Sequence, residues 1–466
     1  MKNIDRRNFI KKTALIGAGM SLGRLFSSNA SNDVLFEPND RYMGGFKAPK
    51  LDTVRIALIG VGARGSSHAI QLASIAGTEI IAICDLYEDL AKSSALKCTH
   101  IGKGLRHKHI GTYYGDEDQW KVMLEETKPD AVFIATNWNN HALMAIATMK
   151  KGAHAFVEVP IAVTLEEMWE IVFASEQTQK HCMMMENVNY GREELLYLNM
   201  CRQGVIGELL HAEASYIHDL REQMYNVDRG TGSWRTYHYA KRNGNLYPTH
   251  GLGPVAQYMN LVRGEDNFSS LVSFSTLALG RKYFAEKNFP KAHKWNQINY
   301  TGGDLNTSII KTTMGRTIMI QWDETSPRPY TRHNLIQGTK GTLAGFPTRV
   351  SLEGGVEGVT EDHHNWVQGD HLEKIYEKYE HPLYVRLGKL SEKMGGHGGK
   401  DFMMLFRIVE CLRQGEPLDQ NVYEGCFWSA VSPLSERSVE QGGTPQVFPD
   451  FTRGEWKRTH PLTIIK

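Results

Sequence analysis

Between residues 54 and 187, short runs of apolar residues alternate with longer segments in which apolar positions recur at the spacing of a helix. The apolar runs occupy residues 54–59, 79–84, 129–136, 153–159 and 182–187. Runs that are apolar at nearly every position are typical of strands buried on both faces, and strands that alternate with helices form parallel sheets. The pattern therefore predicts an α/β domain over residues 51–187, with helices covering both faces of the sheet.

The first apolar run leads into three glycines, Gly60, Gly62 and Gly65, and then into a helical segment. Asp85 follows the second apolar run, 20 residues after Gly65. In the fingerprint of dinucleotide-binding domains, such glycines permit a tight turn and a close approach to the pyrophosphate, and the acid binds the ribose. The order of strand, glycines, helix and acid predicts a Rossmann domain. A carboxylate at this position repels a 2′-phosphate, so we expect NAD rather than NADP.

Polar and aromatic residues follow the later strands of this predicted sheet. In parallel sheets of this kind, ligands bind beyond the carboxyl ends of the strands. The residues that this rule brings to one crevice are Asn137, Trp138, His141, Glu158, Val159 and Asn187. Two of them have a local alternative, since Trp138 and His141 could instead cap a helix or pack on the surface.

After residue 187 the regular alternation stops. Strand-like runs between residues 206 and 450, such as ELLHAEASYI, NTSIIKTTM and RTIMIQW, are mixed with turns and with the helical segment KDFMMLFRIVECLRQG. This mixture predicts a second, α+β domain over residues 188–466, which we expect to bind the substrate.

The first 30 residues resemble an export signal. The twin arginines Arg6 and Arg7 precede an apolar run over residues 13–22, far shorter than the ~20 residues that span a bilayer. Such a signal is read by the twin-arginine export machinery. We therefore expect a signal peptide over residues 1–30, a linker over residues 31–50, no membrane span and a periplasmic protein. The alternative is an ordinary basic N-terminus before a helix.

Composition excludes several classes of partner. The 53 Lys and Arg residues balance 52 Asp and Glu residues, which leaves a formal charge of +1 and no broad positive surface for nucleic acid or anionic lipid. The six cysteines are far apart, with no C-x-x-C pair and no His/Cys cluster at zinc spacing. We expect free, mostly buried thiols, no metal and a small-molecule ligand.

Residues 54–187, with the strand-end sequence Glu158, Val159, Pro160, resemble the Gfo/Idh/MocA family of NAD(P)-dependent sugar and cyclitol oxidoreductases. Members of this family usually carry Glu-Lys-Pro here, and the lysine assists proton transfer from the substrate hydroxyl. Valine can neither bear a charge nor donate a proton, so a simple alcohol dehydrogenase is disfavoured. The resemblance also implies that the second domain holds an open, mostly antiparallel sheet whose exposed face often serves association, which makes a homodimer possible.

Further segments of the chain resemble glycoside hydrolase family 109, the NAD-dependent α-N-acetylgalactosaminidases of that superfamily. They are ENVNYGREE (186–194), SYIHDLRE (215–222), SWRTYHYAKRNGNLYPTHGLGP (233–254), SPRPY (326–330), GHGGKDF (396–402) and SPLSERSVEQGGTPQVFPDF (432–451). The resemblance extends over about residues 52–455, and NGNLYPTHGLGP is its most specific segment.

This resemblance implies a role for each matching residue. The family's NAD contacts correspond to Arg64, Asp85, Trp138, Asn139, Asn140, His141, Glu158, Val159 and Asn187. Its substrate-binding positions correspond to Tyr216, Arg235, Tyr247, Pro248, Thr249, His250 and Tyr330. The predicted catalytic residues are His250 and Tyr190, with Tyr330 as a lesser candidate. Two alternatives stay open, since His250 could hold a turn and Tyr190 could be a core phenol.

The activity that the resemblance implies is hydrolysis of a glycan ending in α-linked N-acetylgalactosamine by transient oxidation. Hydride leaves C3 of the sugar, the C2 proton becomes acidic, elimination expels the group at C1, water adds, and hydride returns. Tightly bound NAD is then recycled in each turnover. One alternative is a secreted NAD(P)-dependent sugar oxidoreductase with net turnover of cofactor. Another is a non-catalytic sugar-binding protein that kept the fold.

Overall fold

A computed structural model describes residues 41–101, 107 and 109–462. The predicted signal peptide over residues 1–30 and the first half of the predicted linker lie outside the described residues. Residues 41–50 form no helix or strand, and Met43 and Ala48 among them are buried.

The N-terminal half is built on a six-stranded parallel sheet. Its strands are β1 (Val54–Ile59), β2 (Thr78–Cys84), β3 (Gly111–Tyr113), β4 (Ala131–Ile134), β5 (His154–Val157) and β6 (Cys182–Met184). The helices between them are α1 (Ala63–Ser74), α2 (Glu88–Ile101), α3 (Gln119–Thr127), α4 (Trp138–Lys150) and α5 (Leu165–Thr178). Strands β4 and β5 are buried along their whole length, which is why their sequences are so apolar. The predicted Rossmann domain is confirmed, although the sequence pattern did not reveal the short strand β3.

The strand order is β3-β2-β1-β4-β5-β6, and every neighbouring pair is parallel. The chain leaves β1 toward one edge of the sheet and returns at β4 toward the other. Sheets of this kind open a ligand crevice beyond the carboxyl ends of the two strands where the order reverses. In this protein that point lies after Ile59 of β1 and Ile134 of β4.

The second half contains a nine-stranded sheet. Its strands are β7 (Leu209–Ile217), β8 (Phe268–Ser275), β9 (Leu305–Thr312), β10 (Thr317–Asp323), β11 (Leu335–Gly338), β12 (Gly341–Ala344), β13 (Arg349–Leu352), β14 (Val367–Gln368) and β15 (Gln446–Val447). The strand order is β14-β13-β12-β11-β7-β10-β9-β8-β15. All neighbouring pairs are antiparallel except the parallel pair β7 and β10. The predicted α+β domain with a mostly antiparallel sheet is therefore confirmed.

The helices of the second half cover one face of this sheet and also reach the first domain. They are α6 (Arg192–Arg202), α7 (Thr231–Lys241), α8 (Thr249–Tyr258), α9 (Gly280–Asn288), α10 (Glu373–Tyr379), α11 (Pro382–Met394), α12 (Lys400–Gln414) and α13 (Val422–Glu440). Helix α13 packs on β8 and on α5, α8 packs on β7, and α12 packs on α1. The opposite face of the sheet is open, with Phe274 61% and Ile309 40% exposed.

All six cysteines are free thiols, and five of them are buried, as the sequence predicts. Burial raises the pKa of Cys84, Cys98 and Cys182, so these thiols stay protonated and inert. Across the described part of the chain, no helix combines the length and the apolar character that a membrane span requires.

Two buried histidines make the fold sensitive to acid. Burial lowers the pKa of His154 to about 3 and that of His381 to about 4, against about 6.5 in an unfolded chain. Nδ1 of His154 accepts the backbone N–H of His181 at 3.0 Å, and Nδ1 of His381 accepts that of Leu383 at 3.1 Å. Below about pH 6.5 these two histidines bind protons in the unfolded chain but not in the folded protein. The free energy of unfolding therefore falls as the pH falls. Between about pH 7.5 and about pH 5, we expect urea unfolding to show a loss of about 2 kcal/mol per histidine.

The variant His381→Asn separates titration from packing. Asparagine at the start of α11 still accepts the Leu383 N–H as a helix cap, but it does not titrate. Between the two pH values, the variant should therefore lose about 2 kcal/mol less stability than the wild type does. An unchanged pH dependence in this variant would show that His381 is not one of the groups responsible.

Candidate active site

The glycine fingerprint forms the turn between β1 and α1. The space available for a side chain differs from one of its glycines to the next. Gly60 has φ +82°, and a Cβ there would lie 2.8 Å from the carbonyl oxygen of Ala135. A Cβ on Gly65 would lie 1.8 Å from the carbonyl oxygen of Gly60, so only glycine lets α1 begin this close to the strand. At Gly62, by contrast, a Cβ would meet no atom within 4 Å. The turn is thus crowded by protein at two glycines and open at Gly62, where a ligand can approach the backbone.

Asp85 lies directly after β2, beside this turn. Its Oδ2 accepts the backbone N–H of Val61 at 2.7 Å, and its Oδ1 accepts that of Tyr87 at 3.0 Å. These bonds fix the carboxylate while leaving lone pairs for ribose hydroxyls. The open turn and the fixed carboxylate fit the pyrophosphate and the ribose of a dinucleotide.

Glu158, just beyond the carboxyl end of β5, is buried among charged side chains. Its Oε1 accepts hydrogen bonds from Nε2 of His68 at 2.6 Å and from Nη2 of Arg64 at 3.0 Å. Burial opposes ionisation, but Arg64 and His68 outweigh it and hold the pKa of the Glu158 carboxyl below its usual range. Val159 is buried in the hydrophobic core next to it. The valine therefore brings no ionisable group to this strand end.

Asp401, near the start of α12, joins the residues of this cluster. Its Oδ2 accepts a hydrogen bond from Nη1 of Arg64 at 2.8 Å, and its Oδ1 accepts one from Nδ2 of Asn187 at 2.6 Å. Nδ1 of His397 lies 2.8 Å from Asp401 Oδ2. Burial opposes ionisation here too, but His397 and Arg64 lower the pKa of the Asp401 carboxyl. Three predicted NAD contacts, Arg64, Glu158 and Asn187, are thus brought together through one acid of the second half.

Trp138 begins α4 at the crevice. Its ring lies 5.3 Å from that of Trp234 and 6.0 Å from that of Tyr247. Its indole N–H is buried and has no hydrogen-bond partner among the described residues. On the same first turn of α4, Asn139 is exposed and Asn140 is partly exposed. The predicted contacts of this turn thus span the boundary between the two halves of the protein.

His141 has a different position from its neighbours. Its Nδ1 lies 2.7 Å from the carbonyl oxygen of Pro160, and its Nε2 lies 3.2 Å from that of Thr136. Burial lowers the pKa of the imidazole, so it stays neutral. A neutral imidazole has one N–H, so His141 donates to one of these carbonyls and lies between the segments that follow β4 and β5. The NAD contact predicted for His141 stays a prediction, and the contacts of its ring nitrogens within the protein are the two carbonyls.

Five rings from the second half form what we call the ring cluster: Tyr216, His218, Tyr247, His250 and Tyr330. Tyr216 stacks on Tyr247 at 4.7 Å, and the His250 ring meets them edge-on at 5.1 and 4.9 Å. The Tyr216 hydroxyl lies 3.0 Å from Nδ1 of His218, and the Tyr330 ring lies 5.0 Å from the His218 ring. Burial raises the pKa of Tyr216 and of Tyr247, so both phenols stay protonated.

The segment YPTH positions the ring cluster at the start of α8. Pro248 precedes the helix, and the buried hydroxyl of Thr249 has no partner among the described residues. His250 lies in the first turn, where its Nδ1 is 2.7 Å from Oε1 of Glu186. The predicted substrate residues Tyr247 to His250 therefore enter the site together from one helix end.

Arg235 in α7 connects the ring cluster to the cofactor side. Its guanidinium carbon lies 5.0 Å from the centre of the Trp138 ring and 5.4 Å from that of Tyr247. Its Nε is buried without a hydrogen-bond acceptor among the described residues. Burial opposes the charge, but Tyr239, Tyr247 and Glu324 keep the pKa of Arg235 above its usual value. Arg235 is therefore a cation with donors to offer a ligand.

Tyr190 lies apart from this arrangement. Its hydroxyl donates to Oδ2 of Asp419 at 3.2 Å, and Arg407 binds both oxygens of the same carboxylate. Burial, reinforced by the charge of Asp419, raises the pKa of this phenol far above its usual range. The geometry does not support the catalytic role predicted for Tyr190, because the hydroxyl belongs to a buried ion-pair network.

The sequence did not lead us to predict five residues of the site, namely His68, Glu186, His218, His397 and Asp401. Glu186 had a usable signal, because it lies two residues after the end of β6 and immediately before Asn187, so the strand-end rule covers it as well. Asp401 lies in the segment GHGGKDF that carries the family resemblance, but nothing in this segment indicates its partner Asn187, which is 214 positions away. His397 lies among glycines with positive φ, and its own φ is +48°. A run of glycines in the sequence indicates a loop with unusual backbone conformations, but it does not show which residues that loop contacts.

The chain is similar to NAD-binding oxidoreductases. Residues 54–186 match the family described as oxidoreductase family, NAD-binding Rossmann fold. The solved structure of an NAD binding oxidoreductase from Klebsiella pneumoniae superposes with a TM-score of 0.64 at 18% identity, over 85% of this chain and 99% of that one. A levoglucosan dehydrogenase in complex with NADH and levoglucosan does so with a TM-score of 0.63 at 18% identity, over 85% and 100%. Fold and site define a protein with an NAD-binding Rossmann domain of the Gfo/Idh/MocA type.

The second half identifies the family within that class. Residues 190–458 match the family described as glycosyl hydrolase 109, C-terminal domain. Glycosyl hydrolase family 109 protein 1 of Akkermansia muciniphila is 63% identical over 92% of this chain and 88% of its own length. A glycosyl hydrolase family 109 protein of Shewanella putrefaciens is 52% identical over 100% of both chains. The chain belongs to glycosyl hydrolase family 109, which confirms the resemblance read from the sequence.

Proposed function

We propose that this family 109 protein hydrolyses terminal α-linked N-acetylgalactosamine by transient oxidation of the sugar. One observation carries the proposal: a crevice fitted for NAD adjoins Arg235 and the ring cluster, while the strand end beside it carries the inert Val159. Bound NAD would supply a hydride acceptor at the start of the cycle and a hydride donor at its end. Oxidation at C3 makes the C2 proton acidic, elimination expels the group at C1, and water then adds.

The side chains of the crevice divide into donors and proton carriers. Tyr216 and Tyr247 stay protonated because burial raises their pKa, so they act as hydrogen-bond donors to sugar oxygens. Arg235 adds a charged donor. In this proposal the proton acceptor is His250, an imidazole at the edge of both tyrosine rings.

His397 is a second proton carrier in this proposal. Its Nδ1 lies 2.8 Å from Oδ2 of Asp401 and 2.9 Å from Nη1 of Arg64, and 59% of its side chain is exposed. The exposed side of this ring can deliver a proton to a departing oxygen. We assign it protonation of the leaving group at C1.

The activity assay distinguishes this proposal from its alternatives. With p-nitrophenyl α-N-acetylgalactosaminide and no added NAD, we expect nitrophenol release without net NADH, and in D₂O we expect deuterium at C2 of the product. NADH accumulation with a free sugar, and no release across a panel of aryl glycosides, would instead identify a sugar oxidoreductase. Tight sugar binding without deuterium incorporation would identify a binding protein. Protein purified without added cofactor should also release NAD on denaturation, as a resident catalyst requires.

The variant Val159→Lys tests whether hydrolysis is limited by the absence of a lysine at this strand end. A lysine restores the group that oxidoreductases of this class use for proton transfer, but here it would bring a charge into a buried position whose neighbour Glu158 is already paired with Arg64. We expect hydrolysis to stay level or to fall by up to about tenfold, with Val159→Leu as the matched control. A large gain in hydrolysis would contradict the assignment of this strand end.

We also propose export to the periplasm by the twin-arginine machinery. The twin arginines Arg6 and Arg7 support it, as does a resident cofactor, because this machinery moves folded proteins. In a bacterial host, the double variant Arg6→Lys, Arg7→Lys should keep the enzyme in the cytoplasmic fraction, whereas Lys12→Arg should not. Periplasmic enzyme from the double variant would contradict the proposal.

A homodimer through the open face of the nine-stranded sheet is a further part of the proposal. Phe274 and Ile309 supply exposed apolar surface on neighbouring strands of that face. Light scattering should give twice the chain mass, and the double variant Phe274→Lys, Ile309→Lys should give the mass of one chain. A dimer that survives both substitutions would place the interface elsewhere.

A further inference from the structure

Glu186 is a fully buried acid that touches the proposed proton acceptor. It lies just after β6 with none of its surface exposed. Its Oε1 accepts hydrogen bonds from Nδ1 of His250 at 2.7 Å and from the backbone N–H of Val188 at 3.1 Å. Among the described residues, no lysine or arginine forms an ion pair with Glu186. The imidazole is therefore the group that can carry the positive charge opposite this carboxylate.

The chain makes room for this contact. A Cβ on Gly253, one turn after His250 in α8, would lie 3.0 Å from Cγ of Glu186. Gln420 donates from Nε2 to the backbone carbonyl of Glu186 at 3.0 Å and so fixes the backbone from the other side. Gly253 and Gln420 thus hold Glu186 against α8. A residue that only capped the N–H of Val188 would need neither contact.

The contact decides which nitrogen of His250 carries the proton. An ionised carboxylate only accepts hydrogen bonds, so Nδ1 must be the donor and Nε2 of the neutral ring must be the acceptor. Nε2 has no hydrogen-bond partner in the described part of the chain, and 16% of the side chain is exposed. The lone pair that could take a proton from a sugar is therefore the one left open.

We propose that Glu186 is the positioning residue of His250. It holds the imidazole with Nδ1 protonated, and it stabilises the imidazolium that forms when Nε2 takes a proton from the sugar. No covalent bond is made or broken at Glu186. This inference rests on the proposed function, in which His250 is the proton acceptor, and it assigns a role that neither the strand end nor the YPTH segment reveals.

The first test uses Glu186→Gln in the full-length enzyme with its bound cofactor. Glutamine has the same shape and keeps an oxygen for the Val188 N–H, but it has no charge to stabilise an imidazolium. We expect kcat to fall by about 10- to 150-fold, as for loss of a hydrogen bond to a charged group, with KM within about threefold of wild type. A role limited to capping predicts an unchanged kcat and overturns the proposal.

Glu424→Gln is the matched control. Glu424 is also a buried acid at a helix start, where it caps the N–H of Asn421 and binds Arg263. Its replacement should lower the melting temperature and leave the kcat of the folded enzyme unchanged. If both variants lower kcat equally, buried acids affect activity only through stability, and the proposal fails.

The second test does not depend on turnover. With ¹⁵N-labelled histidine, the signal of His250 is assigned as the one missing from His250→Asn. Its neutral form should show a protonated Nδ1 in wild type and a shift toward protonated Nε2 in Glu186→Ala. Protonated Nε2 in wild type would overturn the inference even if hydrolysis is confirmed. If hydrolysis itself is absent, the proposed function fails, while this spectrum still decides the hydrogen-bond geometry.

Discussion

Replacement of His250 by asparagine is expected to lower kcat/KM for an aryl α-N-acetylgalactosaminide by about 10³-fold, within the range typical of a lost acid–base group. The asparagine amide reaches the position of Nδ1 and can still donate to Glu186, as the histidine does at 2.7 Å. It has no atom at the position of Nε2. The variant therefore keeps the buried contact and removes only the proposed proton acceptor. Initial rates over a range of substrate concentrations measure the effect.

The control for this variant is His364→Asn, which changes a histidine whose side chain is 80% exposed. It should leave kcat/KM unchanged. Bound NAD and melting temperature, measured on both proteins, show whether His250→Asn still folds and keeps its cofactor. A loss smaller than about tenfold would contradict the assignment of His250, because general acid–base catalysis contributes at least about 10²-fold.

The sequence predicts the cofactor half of the site well because its geometry is local or topological. Gly60, Gly62 and Gly65 lie within six positions, and the steric demands on them come from the turn itself. Glu158 and Asn187 come from different strands, but parallel strands bring their carboxyl ends to one edge of the sheet. No side-chain contact had to be known to place them in one crevice.

The contacts that fix these residues could not be predicted in the same way. Arg64 and Asn187 both bind Asp401, which α12 brings back to the Rossmann domain from the far end of the chain. Neither hydrophobic periodicity nor the fingerprint contains information on that return. His68 was missed for a related reason, since a helix pattern does not show that one buried position faces Glu158.

Tyr190 shows the limit of assigning chemistry from residue type. A tyrosine after a strand end is as suitable for a site as Tyr216 is, and both are buried. What separates them is the partner, since the Tyr190 hydroxyl faces Asp419 and the Tyr216 hydroxyl faces His218. The partner is set by tertiary packing, which the sequence pattern does not contain.

In this site, the ion pairs and the groups proposed to exchange protons lie on different sides. On the cofactor side, Arg64 lies between the buried carboxylates Glu158 and Asp401 and lowers the pKa of both, so neither is suited to exchange protons near neutral pH. On the sugar side, the ring cluster supplies phenols and imidazoles, and Arg235 is the cation beside them. Proton transfer therefore belongs to the second half of the protein, in keeping with the inert Val159 at the end of the Rossmann strand.

Substitution of Arg235 by methionine is expected to lower kcat/KM by about 10²- to 10³-fold, mainly through a higher KM, as when one partner of a buried charged hydrogen bond is removed. Methionine keeps the apolar stem against Trp138 and Tyr247 but has no donors. Arg235→Lys should give an intermediate loss, because lysine keeps the charge and lacks the planar fork of donors. Lys241→Met removes an exposed cation from the same helix α7 and should leave both kinetic constants unchanged.

The competing explanation is that Arg235 only balances the buried Glu324. Burial raises the pKa of Glu324, and Arg235 opposes that rise, so removal of the cation makes the carboxyl harder to ionise and lowers stability. A purely structural role therefore predicts a lower melting temperature with KM near the wild-type value. A substrate-binding role predicts that KM rises in enzyme that is still folded, because Arg235 has donors without acceptors in the described protein. Measurement of KM and melting temperature on the same preparation separates the two roles.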